Sequence, residues 1–294
     1  MRLNPFNPGS INVRRGGGGG GFPGGGGGQL GCGAIVIALI GAVVFGIDPG
    51  QMLGTMEGMQ QGTTSQADSP SGETAAEICD DNQYATEACN ALGSLNQSWE
   101  PLFGQAGISF RQPTLVFYQG GTRSGCGAAS SAMGPFYCPA DQKVYIDLGF
   151  YETLKNRLGA PGDFAQAYVI AHEVGHHVQN QLGISGKVDQ MRGRVSKAEY
   201  NALSVRLELQ ADCFAGVWAH HAQNARQILE QGDVEEAMNA AAKIGDDALQ
   251  RSSGGAVVPE SFTHGTSAQR QRWFHNGLQN GSVKACDTFA ARSL

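Results

Sequence analysis

The sequence has 294 residues and a formal net charge of −6 at pH 7, with lysine and arginine outnumbered by aspartate and glutamate. A nucleic-acid-binding protein shows a basic stripe, so this charge balance excludes that class and no nucleic-acid partner is expected. The length is enough for one large domain or two small ones with a buried core.

The first 29 residues are polar, carry arginines and end in a tract of glycines. Such a composition buries too little apolar surface to fold. It predicts a flexible cytoplasmic tail over residues 1–29.

Residues 30–47 are an apolar run of 18 residues without a charge. As a helix the run would be about 27 Å long, close to the hydrocarbon thickness of a bilayer. It predicts a single transmembrane anchor, because a signal peptide has a shorter apolar region and a small-residue cleavage site. Arg14 and Arg15 precede the run and Asp48 follows it. The positive-inside rule then places the N-terminus in the cytoplasm and the rest of the chain in the periplasm or outside the cell.

Residues 48–75 are rich in Gly, Ser, Thr and Gln and predict a linker, whereas residues 76–294 have the periodicity of a folded domain. Six of the seven cysteines lie in this domain, and an even count in an exported region indicates disulfide bonds. Closeness in sequence favours Cys79–Cys89 and Cys126–Cys138, which leaves Cys213–Cys286 as the third pair. Buried free thiols are the alternative.

The domain is predicted to be α+β and mainly helical, with a small sheet. Residues 83–103 and 233–250 have helical periodicity. Residues 114–119 and 143–151 are apolar, β-branched and aromatic between turn formers, which predicts two strands. The second is either a sheet edge that pairs with an extended peptide or a plain core strand.

Three further helices have marked starts, each a capping residue followed three positions later by Gln or Glu. The pairs are Asp163 with Gln166, Ser196 with Glu199, and Thr266 with Gln269. Gly183 offers a stop for the first of these helices.

The first of the three helices carries His172, Glu173 and His176 in the spacing H-E-x-x-H. Residues four apart share a helix face, so both imidazoles can bind one zinc ion while Glu173 reaches a water as general base. Gly175 lacks a side chain and permits close approach by another backbone. The alternative is a helix that carries histidines by chance, and the cost of burying unpaired polar groups counts against it.

A catalytic zinc site usually has three protein ligands, so the third must come from elsewhere. Glu208 and Asp212 lie four apart on the next capped helix, among apolar residues. Glu208 as ligand completes a His₂Glu set, and Asp212 then accepts a hydrogen bond from a ligand histidine. Two alternatives are that Asp212 is the third ligand and that Glu208 pairs with Arg206 at the surface.

The segments "AHEVGHHVQ", "ELQADCFAGVWA" and "SFTHGTSAQRQRWF" together resemble the neutral zinc metallopeptidase family of membrane-anchored bacterial proteins. "ExxAD" after H-E-x-x-H is similar to the wider gluzincin group. The resemblance covers most of residues 76–294 and implies a zincin-like metallopeptidase fold. It implies one zinc ion per chain bound by His172 and His176, with Glu208 as third ligand and Glu173 as catalytic residue.

These features predict a membrane-anchored zinc peptidase that hydrolyses a peptide or protein substrate. A further donor should stabilise the oxyanion, and we select His264, at a loop–helix boundary, ahead of Arg270, Tyr137 and Tyr200. An ordinary turn histidine is the alternative for His264. Two other functions are a catalytically silent scaffold or binding protein of the cell envelope and a zinc hydrolase of other bonds. The intact Glu173 favours the peptidase.

Overall fold

The computed structural model describes residues 1–17, 72–254 and 256–294. Its helices are α1 Ala75–Cys79, α2 Gln83–Gln105, α3 Gly149–Asn156, α4 Asp163–Gln181, α5 Ile184–Asp189, α6 Lys197–Arg226, α7 Asp233–Lys243, α8 Asp246–Ser252 and α9 Ser267–Asn280. Its strands are β1 Asn12–Arg15, β2 Thr114–Tyr118, β3 Gly121–Ser124, β4 Gly127–Ser130, β5 Phe136–Cys138 and β6 Lys143–Asp147. The architecture is α+β and mainly helical with a small mixed sheet, as predicted.

None of the helices in these described ranges combines the length and the apolar character that a membrane span needs. The predicted anchor at residues 30–47 lies outside the described residues, as does most of the predicted linker at residues 48–75.

Four strands form the main sheet in the order β1-β2-β6-β5, and β3 and β4 form a separate hairpin. β1, β2 and β6 run parallel, whereas β5 is antiparallel to β6. β6 is paired on both sides, so the core-strand alternative is the correct one, and β1 and β5 are the outer strands of the described sheet. The strand ends at Asp147 rather than at residue 151, because the Asp147 carboxylate accepts the backbone N–H of Gly149 and the chain turns into α3.

The long helices α2, α4 and α6 meet through buried aromatic side chains. Trp99 of α2 packs edge to face on Phe214 of α6, and Phe164 of α4 stacks on Trp218 of α6. Aromatic side chains bury large areas in a core. These contacts therefore fix the three helices relative to one another.

The helix starts show which capping predictions hold. The capping boxes that begin at Ser196 and Thr266 are confirmed. The one at Asp163 is wrong, because Asp163 is the first residue of α4 and Gly162 is its N-cap. Glu236 of α7 instead accepts the backbone N–H of the second residue of α4, and it leaves no room for a Cβ atom at Gly162.

Two glycines mark helix boundaries. Gly183 follows α4 with φ 73°, a left-handed conformation that suits glycine, so the predicted stop is confirmed. Gly245 separates α7 from α8, and the prediction of one helix over residues 233–250 is wrong. The backbone of Ser267 packs so closely on Gly245 that a Cβ atom there would overlap it.

Residues 1–17 pack on the domain, so the predicted flexible tail is wrong for this part of the chain. Ile11 and Val13 are buried in the core, and β1 pairs with β2. Arg15 forms an ion pair with Glu73. The strand has four residues and precedes a glycine tract. Its alternation of buried and exposed residues is too short to be recognised as a strand beside a composition that is typical of a flexible tail. The rest of the predicted tail lies outside the described residues.

Three disulfide bonds join Cys79 to Cys89, Cys126 to Cys138 and Cys213 to Cys286. This is the predicted pairing. The third bond closes a loop of 73 residues and ties α6 to the chain that follows α9. A cross-link over so long a loop restricts the unfolded chain and so stabilises the folded one.

Candidate metal centre

α4 presents two histidines to the interior of the protein. The helix is buried over most of its length, and His172 and Glu173 are among its buried residues. The rings of His172 and His176 lie one turn apart, with centroids separated by 4.8 Å and planes at 88°. Both rings therefore face the same neighbouring element.

That element is α6, which brings the Glu208 carboxylate between the two rings. Glu208 Oε2 lies 3.1 Å from His172 Nε2, and Glu208 Oε1 lies 3.6 Å from His176 Nε2. Two ligands at about 2.0–2.1 Å from a tetrahedral zinc ion are about 3.4 Å apart, so these separations suit ligands of one ion. Two imidazoles and one carboxylate are also a donor set that zinc accepts.

Gly175 makes this meeting of helices sterically feasible. A Cβ atom at Gly175 would lie 2.9 Å from the carbonyl oxygen of Ala211 on α6. The missing side chain lets the two backbones approach, as the sequence predicted. Since Ala211 lies one turn after Glu208, the close approach carries Glu208 towards the histidines.

Asp212 holds His172 from the side away from Glu208. His172 Nδ1 donates to Asp212 Oδ1 at 2.8 Å, which leaves Nε2 to face Glu208. Arg270 donates to both Asp212 oxygens at 2.8 Å, and the Tyr168 hydroxyl donates to Oδ1. Burial alone would raise the pKa of Asp212, but the charges of Arg270 and His172 lower that pKa to about 2. Arg270, one of the candidate oxyanion donors, therefore donates its hydrogen bonds to Asp212 instead.

The buried charges favour a cation among these side chains. Burial would raise the pKa of Glu208, yet the positive charges of His176 and His264 hold that pKa well below its usual value. Burial would lower the pKa of His172, but Asp212 raises it to about 10. The carboxylates therefore stabilise positive charge, either as ring protons or as a metal cation that displaces them.

Glu173 is the buried carboxylate next to this cluster. It is turned by about 100° from His172 around the helix axis. Burial raises the pKa of Glu173, and the charges of His176 and His172 oppose that rise. A carboxylate with a raised pKa is a stronger base than an exposed one, as proton transfer from water requires.

His264 lies in the loop between α8 and α9, against α6. Its Nδ1 lies 3.0 Å from Asp246 Oδ1, and the adjoining Gly265 packs on Leu209, the residue after Glu208. His264 Nε2 is buried and has no hydrogen-bond partner among the residues that the structure describes. A buried polar atom without a partner is rare and needs an explanation. The charge of His264 also lowers the pKa of Glu208, which links this loop to the candidate metal ligands.

Two other proposed oxyanion donors have different partners. The Tyr137 hydroxyl lies 3.0 Å from His177 Nδ1, and His177 Nε2 lies 2.6 Å from the carbonyl oxygen of Arg111. Burial lowers the pKa of His177 to about 4, so this ring is neutral and structural. The Tyr200 hydroxyl accepts a hydrogen bond from Arg192.

Three residues of the centre have contacts that the sequence did not reveal. Gln179 contacts His176 Nδ1 at 2.9 Å, and its position three residues further along the helix was an available signal. Arg270 and Asp246 lie 58 and 18 residues from the side chains that they contact. No local pattern could have identified either contact.

Known proteins are similar to this chain over most of its length. The uncharacterised protein YpfJ of Escherichia coli strain K12 is 52% identical over 256 residues, 87% of this chain and 85% of that protein. The uncharacterised protein Mb2605 of Mycobacterium bovis is 39% identical over 269 residues, 86% of each chain. No solved structure matches. The family described as "Putative neutral zinc metallopeptidase" matches residues 6–289, and the chain belongs to that family.

Proposed function

We propose that the protein is an active zinc-dependent peptidase that binds one zinc ion per chain through His172, His176 and Glu208. The observation that carries the proposal is the convergence of two Nε2 atoms and one carboxylate, with all ligand atoms within 4.8 Å of one another. Zinc in such a site supplies Lewis-acid polarisation of a carbonyl and a nucleophile at neutral pH.

Glu173 acts as the general base. It takes the proton from the attacking water and then delivers that proton to the amine that leaves when the peptide bond breaks. Its burial, which raises its pKa, supports this role, because a more basic carboxylate accepts the proton more readily.

Asp212 and Arg270 keep His172 in one orientation. The ring donates through Nδ1 to Asp212, so Nε2 keeps the lone pair that a metal ligand needs. The two hydrogen bonds from Arg270 fix the Asp212 carboxylate in turn.

His264 stabilises the oxyanion that develops on the scissile carbonyl. Its Nδ1 faces the Asp246 carboxylate, so Nε2 is the ring atom that can donate a hydrogen bond to the substrate. The ring donates through Nε2 in its protonated form, and Asp246 supplies the counter-charge that this form requires.

The domain acts in the periplasm or outside the cell on a peptide or protein substrate. The three disulfide bonds support an exported location, because such bonds persist in oxidising compartments.

The proposal is tested by Glu173→Gln in the full-length protein, measured as zinc content and as cleavage of a broad peptide library. We expect about one zinc per chain in both forms, and kcat lower by about 10²–10⁴-fold in the variant because the base is lost. Glu235→Gln on the exposed surface of α7 is the matched control and should cleave normally.

Equal cleavage by the Glu173→Gln variant would remove Glu173 from the mechanism. Zinc binding without cleavage by the unmodified protein would favour the catalytically silent scaffold. His176→Ala and Glu208→Ala should both lose metal. If Asp212→Ala loses zinc while Glu208→Ala keeps it, the third ligand is Asp212.

A further inference from the structure

A chain of buried amides runs from the C-terminal region to His176. Gln179 Oε1 lies 2.9 Å from His176 Nδ1, and Gln179 Nε2 donates to Leu207 O at 2.7 Å and to Gln210 Oε1 at 3.1 Å. Gln210 Nε2 donates to the carbonyl oxygen of Cys286 at 2.9 Å. The Gln179 side chain is completely buried, so water cannot replace these partners.

Two backbone carbonyls determine the direction of this chain. A carbonyl oxygen only accepts hydrogen bonds, so the end of each amide that faces Leu207 O or Cys286 O must be the NH₂ group. The other end of Gln179 is therefore its oxygen, which can only accept. His176 must then donate through Nδ1–H.

The direction leaves His176 Nε2 with its lone pair on the side of Glu208, where it lies 3.6 Å from Oε1. We propose that Gln179 is a positioning residue that fixes the tautomer and ring orientation of His176, with Gln210 holding Gln179 in place. This inference rests on the proposed function, because it assigns a role towards the zinc ion that His176 would bind.

An amide suits this position better than a carboxylate. Glu173, Glu208 and Asp212 are already buried in the same region, and each buried anion needs a positive partner. Asp212 has Arg270 as that partner. Gln179 supplies an acceptor to His176 without adding a negative charge, so the two ligand histidines are held by different chemistry.

The experiment compares Gln179→Leu with Gln181→Leu, a matched change on the same helix whose side chain contacts Arg111 and His177 instead of His176. Zinc affinity is measured by competition with a chelator. The proton on His176 Nδ1 is followed by NMR of protein labelled with ¹⁵N-histidine, with and without zinc.

We expect the unmodified protein and Gln181→Leu to show a His176 Nδ1–H signal protected from solvent exchange, and zinc on Nε2. Gln179→Leu should lose the protection and bind zinc about 10–100-fold more weakly. Gln210→Leu should have a smaller effect, because Leu207 O still fixes the direction of the Gln179 amide. Gln179→Met, which fills the same space without a strong acceptor, replaces Gln179→Leu if that variant does not fold.

An unchanged Nδ1–H signal and unchanged zinc affinity in Gln179→Leu would overturn the proposal, as would zinc on Nδ1 in the unmodified protein. Failure of the unmodified protein to bind zinc would instead contradict the proposed function. The Nδ1–H comparison in the metal-free proteins would still decide the role of Gln179.

Discussion

Asp246 shows how a single buried carboxylate can organise a loop of the site. Its Oδ2 accepts the backbone N–H groups of Thr263, His264 and Gly265, at 2.6–3.0 Å, and its Oδ1 faces His264 Nδ1. An anion that accepts several hydrogen bonds is stabilised in its charged form. Burial alone would raise the pKa of Asp246, but His264 and these backbone donors lower it.

Asp246→Asn should lower the free energy of unfolding at pH 7 by about 1–3 kcal/mol, because an amide NH₂ group would replace an acceptor that the buried donors need. The folded-state pKa lies below the unfolded value of 3.8. The stabilisation is therefore complete at neutral pH and is lost as the pH falls through the folded-state pKa. The difference between the two proteins should narrow at about pH 3, measured by denaturant unfolding at both pH values.

Asp80→Asn, at an exposed position, is the control and should unfold like the unmodified protein at both pH values. A difference between Asp246→Asn and the unmodified protein that stays constant from pH 7 to pH 3 would contradict the assigned charge.

Residue spacing predicted the parts of the site that lie on one helix. His172, Glu173 and His176 lie within one H-E-x-x-H pattern, and Glu208 within one capped helix, so each was identified by helical periodicity. The contact of Arg270 with Asp212 joins two helices across 58 residues. Such a pairing depends on tertiary packing, which no local pattern encodes.

At the scale of elements, the site depends on how closely α4 and α6 approach. Gly175→Ala should push these helices apart, because the added Cβ atom would lie 2.9 Å from the Ala211 carbonyl oxygen. We expect a loss of about 1–3 kcal/mol in the free energy of unfolding and weaker zinc binding, since Glu208 lies one turn away. Both are measured, by denaturant unfolding and by chelator competition.

Gly104→Ala, near the end of α2, is the matched control because a Cβ atom there meets no neighbour within 4 Å. Alanine favours the helix over glycine, so this variant should be as stable as the unmodified protein or slightly more stable. Equal stability and zinc affinity of the two alanine variants would show that the close approach of α4 and α6 is unnecessary.

The predicted elements were accurate where the sequence carries its own boundary signal. The capping boxes at Ser196 and Thr266 and the glycine after α4 are signals that lie within a few residues of the helix end that they mark. The start of α4 and the break between α7 and α8 depend on other segments: Glu236 caps α4 from α7, and Ser267 packs on Gly245. Tertiary contacts replaced the local signals at both boundaries.

At the scale of the whole molecule, the N-terminal strand and the predicted membrane topology disagree. β1 belongs to the sheet whose other strands are part of the domain, and Arg15 pairs with Glu73 beyond the apolar run. A single span at residues 30–47 would place Arg15 and Glu73 on opposite sides of the membrane. The glycine-rich composition predicted a flexible tail there. The strand was missed because β1 pairs with residues about 100 positions away, and such a pairing leaves no local pattern in the sequence.

Labelling from outside the cell distinguishes the two arrangements. Asn4→Cys and Gln105→Cys each introduce one thiol at an exposed position, in a Cys32→Ser background in which the other six cysteines form disulfides. A membrane-impermeant maleimide applied to intact spheroplasts should label both, because β1 holds residues 1–17 on the side of the domain. Labelling of Gln105→Cys alone would place the N-terminus in the cytoplasm, and β1 would then be absent from the sheet of the anchored protein. Labelling of both only after permeabilisation would contradict the proposed export, since the disulfide-bonded domain would face the cytoplasm.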